Sequence, residues 1–97
     1  MAGIALTARV TISDRVVHQR VDEEVVLLNL DTGVYHGLGP TGARLWELLL
    51  EDESLQRVFE RMLTEYDVGA GQLQDDILRL VQELETHNLV TVAAQST

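Results

Sequence analysis

The 97-residue chain contains no cysteine and no lysine, and it has a single proline. The absence of cysteine excludes disulfides, thiolate metal sites and a thiol nucleophile, and it is typical of proteins from reducing compartments. Without lysine, neither a Walker-type phosphate loop nor a Schiff-base enzyme is possible. No signal peptide is evident and no apolar run approaches the roughly 18 residues of a membrane span, so we expect a cytoplasmic protein without a membrane partner.

Positive charge is scarce, because seven arginines stand against 16 acidic residues, for a formal net charge of −9. Binding to nucleic acid needs clustered cations, so this balance argues against a DNA or RNA partner. It is compatible with a basic partner, or simply with solubility. Apolar residues, in contrast, make up 45% of the chain. This content predicts one globular domain over residues 1–97, with a core from about 7 to 92 and a tail at 93–97.

The first half of the chain predicts β-structure. An alternating piece over residues 7–13 and a β-branched stretch over 16–21 precede an almost wholly apolar strand over 24–30. A three-residue hairpin loop at 31–33, with its glycine at φ > 0, returns the chain into a third strand at 34–38. The sequence thus predicts a three-stranded antiparallel sheet.

The faces of this sheet follow from the hairpin register. If the three-residue loop closes simply, Leu30 lies opposite Val34. That register places these apolar side chains on one face: Val26, Leu28, Leu30, Val34 and Leu38. Val25, Leu27 and Tyr35 then lie on the other face. A G1 bulge in the loop would shift the register by one residue, which leaves the assignment of the two faces open.

Three helices follow the strands. The first is predicted over 40–50, with proline at its first position. The second begins after the N-cap Ser54, and the third covers about 70–87, where Asn88 can take a left-handed conformation. The 3–4 spacing of apolar residues predicts their buried sides: Leu45, Trp46, Leu48 and Leu49; Leu55, Val58, Phe59, Met62, Leu63 and Tyr66; Leu73, Ile77, Leu80, Val81 and Leu84. Strands followed by helices indicate an α+β fold.

No set of polar side chains in the sequence makes a catalytic or metal site. His18, His36 and His87 fall in three separate elements, so we interpret them as ordinary strand and helix-end residues rather than metal ligands. Asp75 and Asp76 are adjacent on a helix and point about 100° apart, which makes them a poor acid/base pair. The sequence therefore predicts no enzyme, no metal and no cofactor, and interaction surface is the class that remains.

The third predicted strand is the best candidate for such a surface. It is last in its meander, which places it at an edge of the sheet, and residues 34–38 contain no proline or lysine to block edge pairing. We interpret this edge as a binding site for another strand. Two alternatives stay open: two copies of the chain pairing through this edge, and a winged-helix DNA-binding protein, which the net charge of −9 disfavours.

A resemblance to a known family rests on the run RVVHQRVDEEVVLLNLDTGVYHGLGPTGARLWELL and on matches further along the chain. These later matches are YDV at 66–68, Asp76-Ile77, Leu84 and Asn88-Leu89. Together they span about residues 15–90 and resemble the PqqD-like family, the precursor-peptide recognition elements of ribosomal natural-product pathways. The resemblance implies a winged helix-turn-helix with three strands followed by three helices.

The resemblance also implies a function. The leader segment of a precursor peptide would add as an antiparallel strand to the third strand, in the groove beside the third helix. By position, the contacts carried over are Val34, Tyr35, His36, Gly37 and Leu38 on the strand, and Asp75, Leu78, Arg79, Val81, Gln82 and Glu85 on the helix. The chain would then be a non-catalytic adaptor for a separate maturation enzyme. A lasso-peptide peptidase and cyclase are favoured, and a radical-SAM enzyme of pyrroloquinoline-quinone synthesis is the alternative.

Overall fold

The computed structural model describes residues 5–94. Its elements, in chain order, are β1 (Arg9–Ile12), β2 (Val16–Val21), β3 (Glu24–Asn29), β4 (Tyr35–Leu38), α1 (Pro40–Glu51), α2 (Leu55–Glu65), α3 (Ala70–Thr86) and β5 (Val90–Ala93). Strands β2, β3 and β4 form an antiparallel sheet in that order. The predicted α+β fold, with a three-stranded antiparallel sheet followed by three helices, is confirmed. No helix among the described residues is long and apolar enough to cross a membrane.

A second sheet consists of β1 and β5, paired antiparallel from Arg9 with Ala93 to Ile12 with Val90. The sequence predicted an extended piece at β1 but not its partner strand, and it assigned Ala93 to a tail. The partners lie near opposite ends of the sequence, and no local pattern indicates which distant segment pairs with a short strand. Residues 95–97 of the predicted tail lie outside the described residues.

The β3–β4 hairpin differs from the prediction by one residue. Its loop holds four residues, 30–33, because Asn29 closes it: the Asn29 carbonyl accepts a hydrogen bond from Gly33 N–H at 2.8 Å, and Asn29 N–H donates to the Val34 carbonyl at 3.0 Å. Gly33 has the predicted positive φ, 73°. The register therefore pairs Leu28 with Tyr35 rather than with His36.

This shift exchanges the two faces of β3, since neighbouring side chains of a strand point to opposite sides. Val25 and Leu27 are 1% and 0% exposed and pack on the helices. The simple register placed four apolar side chains on one face with Leu38, and this grouping was wrong: Val26, Leu28, Leu30 and Val34 are half-buried or exposed, whereas Leu38 is buried. The simple register was also wrong for β4, because it placed Leu38 with Val26 and Tyr35 with Leu27, whereas Leu38 is opposite Val25 and Tyr35 is opposite Leu28. The observed register is the one shifted by a single residue, which the sequence left open.

The helices begin and end close to the predicted residues, because capping signals are local. Ser54 Oγ accepts a hydrogen bond from Arg57 N–H at 3.3 Å and caps α2. Asn88, with φ at 60°, ends α3. The predicted inward residues form one core under β3, with Trp46 and Leu45 fully buried and Leu63, Tyr66 and Leu80 packed at its margin. The helices thus cover one face of the sheet and leave the other to solvent.

Candidate functional site

Strand β4 lies at an edge of the three-stranded sheet, as predicted. Its neighbour β3 alternates the direction of its backbone hydrogen bonds. Asn29 N–H donates across the hairpin to the Val34 carbonyl, whereas Leu30 N–H donates in the other direction to the Arg15 carbonyl at 2.8 Å. Odd-numbered residues of β3 therefore bond toward β4, and even-numbered residues bond toward β2.

The same alternation identifies the free backbone groups of β4. His36 and Leu38 are paired with odd-numbered residues of β3, so their N–H and C=O groups turn inward to that strand. The N–H and C=O groups of Tyr35 and Gly37 point away from the sheet, toward the open edge. An added strand would find its hydrogen-bond partners at these two residues.

Val34, which the sequence predicted as a backbone contact, precedes β4 and is engaged inside the loop. Its N–H donates to Thr32 Oγ1 at 3.2 Å, and its carbonyl accepts from Asn29 N–H at 3.0 Å. Only its side chain, 48% exposed, is free. Of residues 34–38, only Tyr35 and Gly37 thus have backbone groups open to an added strand. This follows from the register between β3 and β4.

A groove runs between β4 and α3. One pocket of about 100 Å³ in it is lined by His36, Gly37, Leu38, Leu80, Glu83, Leu84, His87 and Leu89. A second pocket, of about 280 Å³, continues past Leu80 and Glu83 to the start of α1 and is lined further by Thr41, Gly42, Asp76 and Arg79. At Gly42 a Cβ would lie 3.1 Å from Leu80 Cδ2 and 3.3 Å from Leu38 Cβ, so α1, β4 and α3 meet closely there.

The side of α3 that faces this groove is not the side that the resemblance implies. The lining residues surround Leu80, whereas Asp75, Leu78, Gln82 and Glu85 lie about 140–160° around the helix from Leu80, at roughly 100° per residue. Val81 is 0% exposed and belongs to the core. Of the helix residues named from the sequence, Arg79 alone is among those that line the two pockets.

Two histidines from different elements meet across the groove. The ring centroids of His36, on β4, and His87, at the end of α3, are 4.6 Å apart, and the rings are tilted by 44°. The sequence did not predict this contact, because contacts between distant segments leave no local pattern. Within residues 5–94, no group of three or more potential metal ligands comes together.

Asn29, at the end of β3, links the β3–β4 loop to the end of α3, and sequence reasoning missed this role. Its side chain is buried, at 2% exposure. The Nδ2 amide donates to the His87 carbonyl at 3.1 Å, and Oδ1 accepts from the Asp31 N–H at 2.9 Å and the Thr32 N–H at 3.4 Å. One polar residue in an otherwise apolar strand was the available signal, since a buried amide needs partners.

The polar margin of the groove is mainly acidic. Asp76 and Glu83 stand on α3 beside a single cation, Arg79, whose Nη1 lies 3.7 Å from Asp76 Oδ1. Both side chains of that pair are well exposed, so the attraction is weak and screened by salt. The floor, formed by Leu38, Leu80 and neighbouring leucines, is apolar. The site thus combines free backbone groups, an apolar floor and an acidic margin, which suits a peptide in an extended conformation.

Comparison with solved structures finds two similar chains. "TbiB1 in Complex with the TbiA(beta) Leader Peptide" has a TM-score of 0.81 and 35% sequence identity, covering 88% of this chain and 99% of that chain. "Lasso peptide synthetase B1 complexed with the leader peptide" has a TM-score of 0.76 and 25% identity, covering 86% and 98%. A comparison with curated proteins finds no match.

A family model agrees with these structures. The model described as "Coenzyme PQQ synthesis protein D (PqqD)" matches residues 24–90, which include the whole hairpin, the three helices and the groove between β4 and α3. This match covers more than half of the chain, and it confirms the resemblance indicated by the sequence. The chain belongs to the PqqD family.

Proposed function

We propose that this chain is a non-catalytic adaptor that binds the leader segment of a ribosomally made precursor peptide and presents it to a separate maturation enzyme. The outward N–H and C=O groups of Tyr35 and Gly37, beside an apolar groove, carry the proposal. Both similar structures are complexes with leader peptides. The leader would add to β4 as a fourth, antiparallel strand, and residues 1–97 would act as one recognition domain in the cytoplasm.

Micromolar binding of a leader requires both backbone hydrogen bonds at the edge of β4 and side-chain contacts in the groove. Tyr35 and Gly37 each offer one donor and one acceptor, and each bond contributes about 0.5–1.5 kcal/mol net. Micromolar affinity corresponds to about −8 kcal/mol after the costs of ordering the peptide. Leader side chains in the groove must therefore supply the remainder, at about 1.5–3 kcal/mol for each fully buried apolar side chain.

The groove also indicates what kind of leader fits. The pocket beside Leu38, Leu80 and Leu84 suits one aliphatic side chain, because its volume is only about 100 Å³. Asp76 and Glu83 at the margin favour a lysine or arginine in the leader. Affinity should therefore fall moderately as salt is raised. We assign no catalytic role to any residue of this site, including the His36–His87 pair.

The client enzyme is proposed from the comparisons. Similarity to a lasso peptide synthetase B1 favours a leader peptidase and a cyclase as the clients. The family description, synthesis of coenzyme PQQ, supports a second candidate, in which the adaptor delivers its precursor to a radical-SAM enzyme. The neighbouring genes distinguish the two candidate clients, because each client enzyme would be encoded together with its own precursor peptide.

Titration of a fluorescent leader peptide, taken from the neighbouring precursor gene, tests the proposal. We expect Gly37→Pro to weaken binding about tenfold or more, because proline removes an outward donor and its ring obstructs the edge. Gly37→Ala is the matched control: it keeps the N–H, and a Cβ at this position meets nothing within 4 Å. Its affinity should stay near that of the wild type.

The fold of each variant is checked by thermal unfolding. A leader with N-methylated backbone positions gives the same test without altering the protein, and loss of affinity for one of these peptides should match the loss in Gly37→Pro. Unchanged affinity in a folded Gly37→Pro variant, together with unchanged affinity for every methylated peptide, would exclude strand addition at β4.

A further inference from the structure

Two imidazole rings meet across the groove, and leader capture by backbone bonds and apolar contacts gives neither of them a role. The ring centroids of His36 and His87 are 4.6 Å apart. Both rings are carried by anchored backbone, since His36 is paired with Leu27 of β3 and the His87 carbonyl accepts a hydrogen bond from Asn29 Nδ2 at 3.1 Å. The pair is therefore built into the groove, with one ring on each wall.

The charges around the pair suit one imidazolium ring better than two. Among the described residues that line the pocket beside it, Glu83, one turn before His87 on α3, is the only carboxylate, and no arginine is present. On the β3–β4 loop, Asp31 is already engaged by Arg15, whose Nε lies 3.0 Å from Oδ1. The negative end of the α3 dipole lies beside His87. These groups favour a first proton, whereas a second proton meets the charge of the first.

The register of strand addition would place one leader side chain at this pair. Leader residues opposite Tyr35 and Gly37 would form the hydrogen-bonded pairs with β4, and the leader residue between them would lie opposite His36. Directly opposite residues on antiparallel strands share one face of the sheet, and their side chains are closest in the non-hydrogen-bonded pairs. The side chain of that leader residue would therefore point to the inner face, toward His36 and His87.

A leader in this position and protons on the pair oppose each other. Histidine is the side chain whose charge ordinarily changes between about pH 5 and 8. In the free protein, water screens charge on the two rings, because His36 is only half-buried and His87 is exposed. An added strand would remove part of this water, which raises the cost of charge beneath it and strengthens repulsion between two imidazolium rings. An apolar leader side chain therefore favours the neutral pair.

We infer that the His36–His87 pair makes leader capture depend on pH, and that the leader residue opposite His36 sets the direction of this dependence. The inference rests on the proposed function, since it concerns regulation of the same site. With an apolar residue at that position, binding releases protons, so affinity falls as the pH falls. With a carboxylate there, the protonated rings become its hydrogen-bond donors, and affinity rises instead.

Titration of the fluorescent leader at about pH 8 and about pH 5.5 tests the role of the pair. We expect the wild-type protein to lose about tenfold in affinity at the lower pH, the effect of one released proton over one pH unit. The double variant His36→Gln/His87→Gln, whose side chains stay neutral, should lose less than about twofold. His18→Gln, on β2, is the matched control and should keep the wild-type dependence. Equal losses in the wild type and the double variant would overturn the inference.

A substitution in the leader tests the direction of the dependence. The N-methylated peptides identify the two leader residues that bond to Tyr35 and Gly37, and the residue between them lies opposite His36. Glutamate at that residue should reverse the dependence, so that affinity rises about threefold or more toward pH 5.5. Glutamate at the residue opposite Gly37 would face outward and should leave the dependence unchanged. Equal losses toward low pH with both peptides would contradict the assignment of the leader position.

NMR spectra of the wild-type protein provide a readout that does not depend on the folding of any variant. When the leader is bound, the ring signals of His36 and His87 should titrate at lower pH than in the free protein, whereas those of His18 should titrate as before. Unchanged titration of both groove histidines would overturn the inference even if the leader binds. Failure of the wild-type protein to bind the leader at any pH would instead overturn the proposed function.

Discussion

Polar groups are paired with one another between α1 and α2, whereas on the groove side they are left open. The paired groups between the two helices belong to Arg44, Asp52, Arg57 and Glu65, called here the corner. At the corner, polar groups satisfy one another: Arg44 Nε and Nη2 each lie 2.7 Å from a carboxylate oxygen of Glu65, and Arg57 Nε lies 2.6 Å from Asp52 Oδ2. On the groove side, the backbone of Tyr35 and Gly37 faces an open edge. The comparison suggests that stability and binding are carried by separate residues.

The corner also shifts the acidity of its carboxyl groups. Hydrogen bonds from Arg57 and from the Ser54 N–H lower the pKa of Asp52 from 3.8 to about 2. The Arg44 guanidinium, through its hydrogen bonds, lowers the pKa of Glu65. Both carboxylates are thus more stable in ionised form in the folded state than in the unfolded chain. Their contribution to stability is present above the unfolded pKa and is lost as the pH falls through the folded value.

Substitution of Asn29 is expected to have the largest effect, because its buried side chain bonds both the β3–β4 loop and the end of α3. We expect Asn29→Ala to lower the free energy of unfolding by about 2–3 kcal/mol, since it leaves the His87 carbonyl and the loop N–H groups without their partner. Leader affinity should also fall, because the variant loses the hydrogen bond that holds the β3–β4 hairpin to the end of α3. Urea denaturation and leader titration measure the two effects.

The control for this substitution is Thr86→Ala, which removes an exposed hydrogen bond to the Gln82 carbonyl near the same end of α3. It should change stability by less than about 0.5 kcal/mol and leave leader binding intact. If Asn29→Ala destabilises the fold but binds leader as the wild type does, the width of the groove does not depend on this link.

Glu65→Gln tests whether a salt bridge between α1 and α2 contributes to stability without contributing to leader binding. Losing the charge at this two-oxygen contact with Arg44 is expected to cost about 1 kcal/mol of unfolding free energy, because the pair is partly exposed, with side chains 29% and 31% accessible. Leader affinity should not change. Glu60→Gln, on the exposed side of α2, is the matched control. A change in leader affinity in Glu65→Gln alone would show that the corner and the groove are coupled.

Asp52→Asn should have the smallest effect and the clearest pH dependence. At neutral pH we expect a loss below about 1 kcal/mol, because Arg57 is largely exposed and solvent screens the pair. The difference between wild type and variant should persist down to about pH 4 and then shrink as the pH approaches about 2, where Asp52 becomes protonated. Denaturation curves at several pH values measure it, and a difference independent of pH would contradict the assignment.

Local signals made the helices predictable. Proline at the start of α1, Ser54 at the start of α2 and Asn88 at the end of α3 each act within one helical turn, and the structure places all three as the sequence indicated. The positive φ of Gly33 was predictable for the same reason. The family resemblance added the overall architecture, because it draws on a pattern spread over most of the chain.

The faces of the sheet and the wall of the groove were not predictable in this way. The register depends on a side chain, since Asn29 Oδ1 accepts hydrogen bonds from loop N–H groups and adds one residue to the turn. The rotation of α3 depends on how its buried stripe packs against other elements. Leu80 at the margin of that stripe, rather than the exposed residues behind it, therefore faces β4. Both features are set by contacts between segments distant in sequence.

The pairing of β1 with β5 has a consequence for how such a module can be built into larger proteins. Because Arg9 lies opposite Ala93, the described chain enters and leaves the domain at adjacent backbone positions, about 5 Å apart for residues facing each other on antiparallel strands. A host protein could carry this unit as a cassette inserted into a single loop, with no need to stretch or rearrange the loop. The fold is therefore suited both to a separate protein and to an insertion within a larger one.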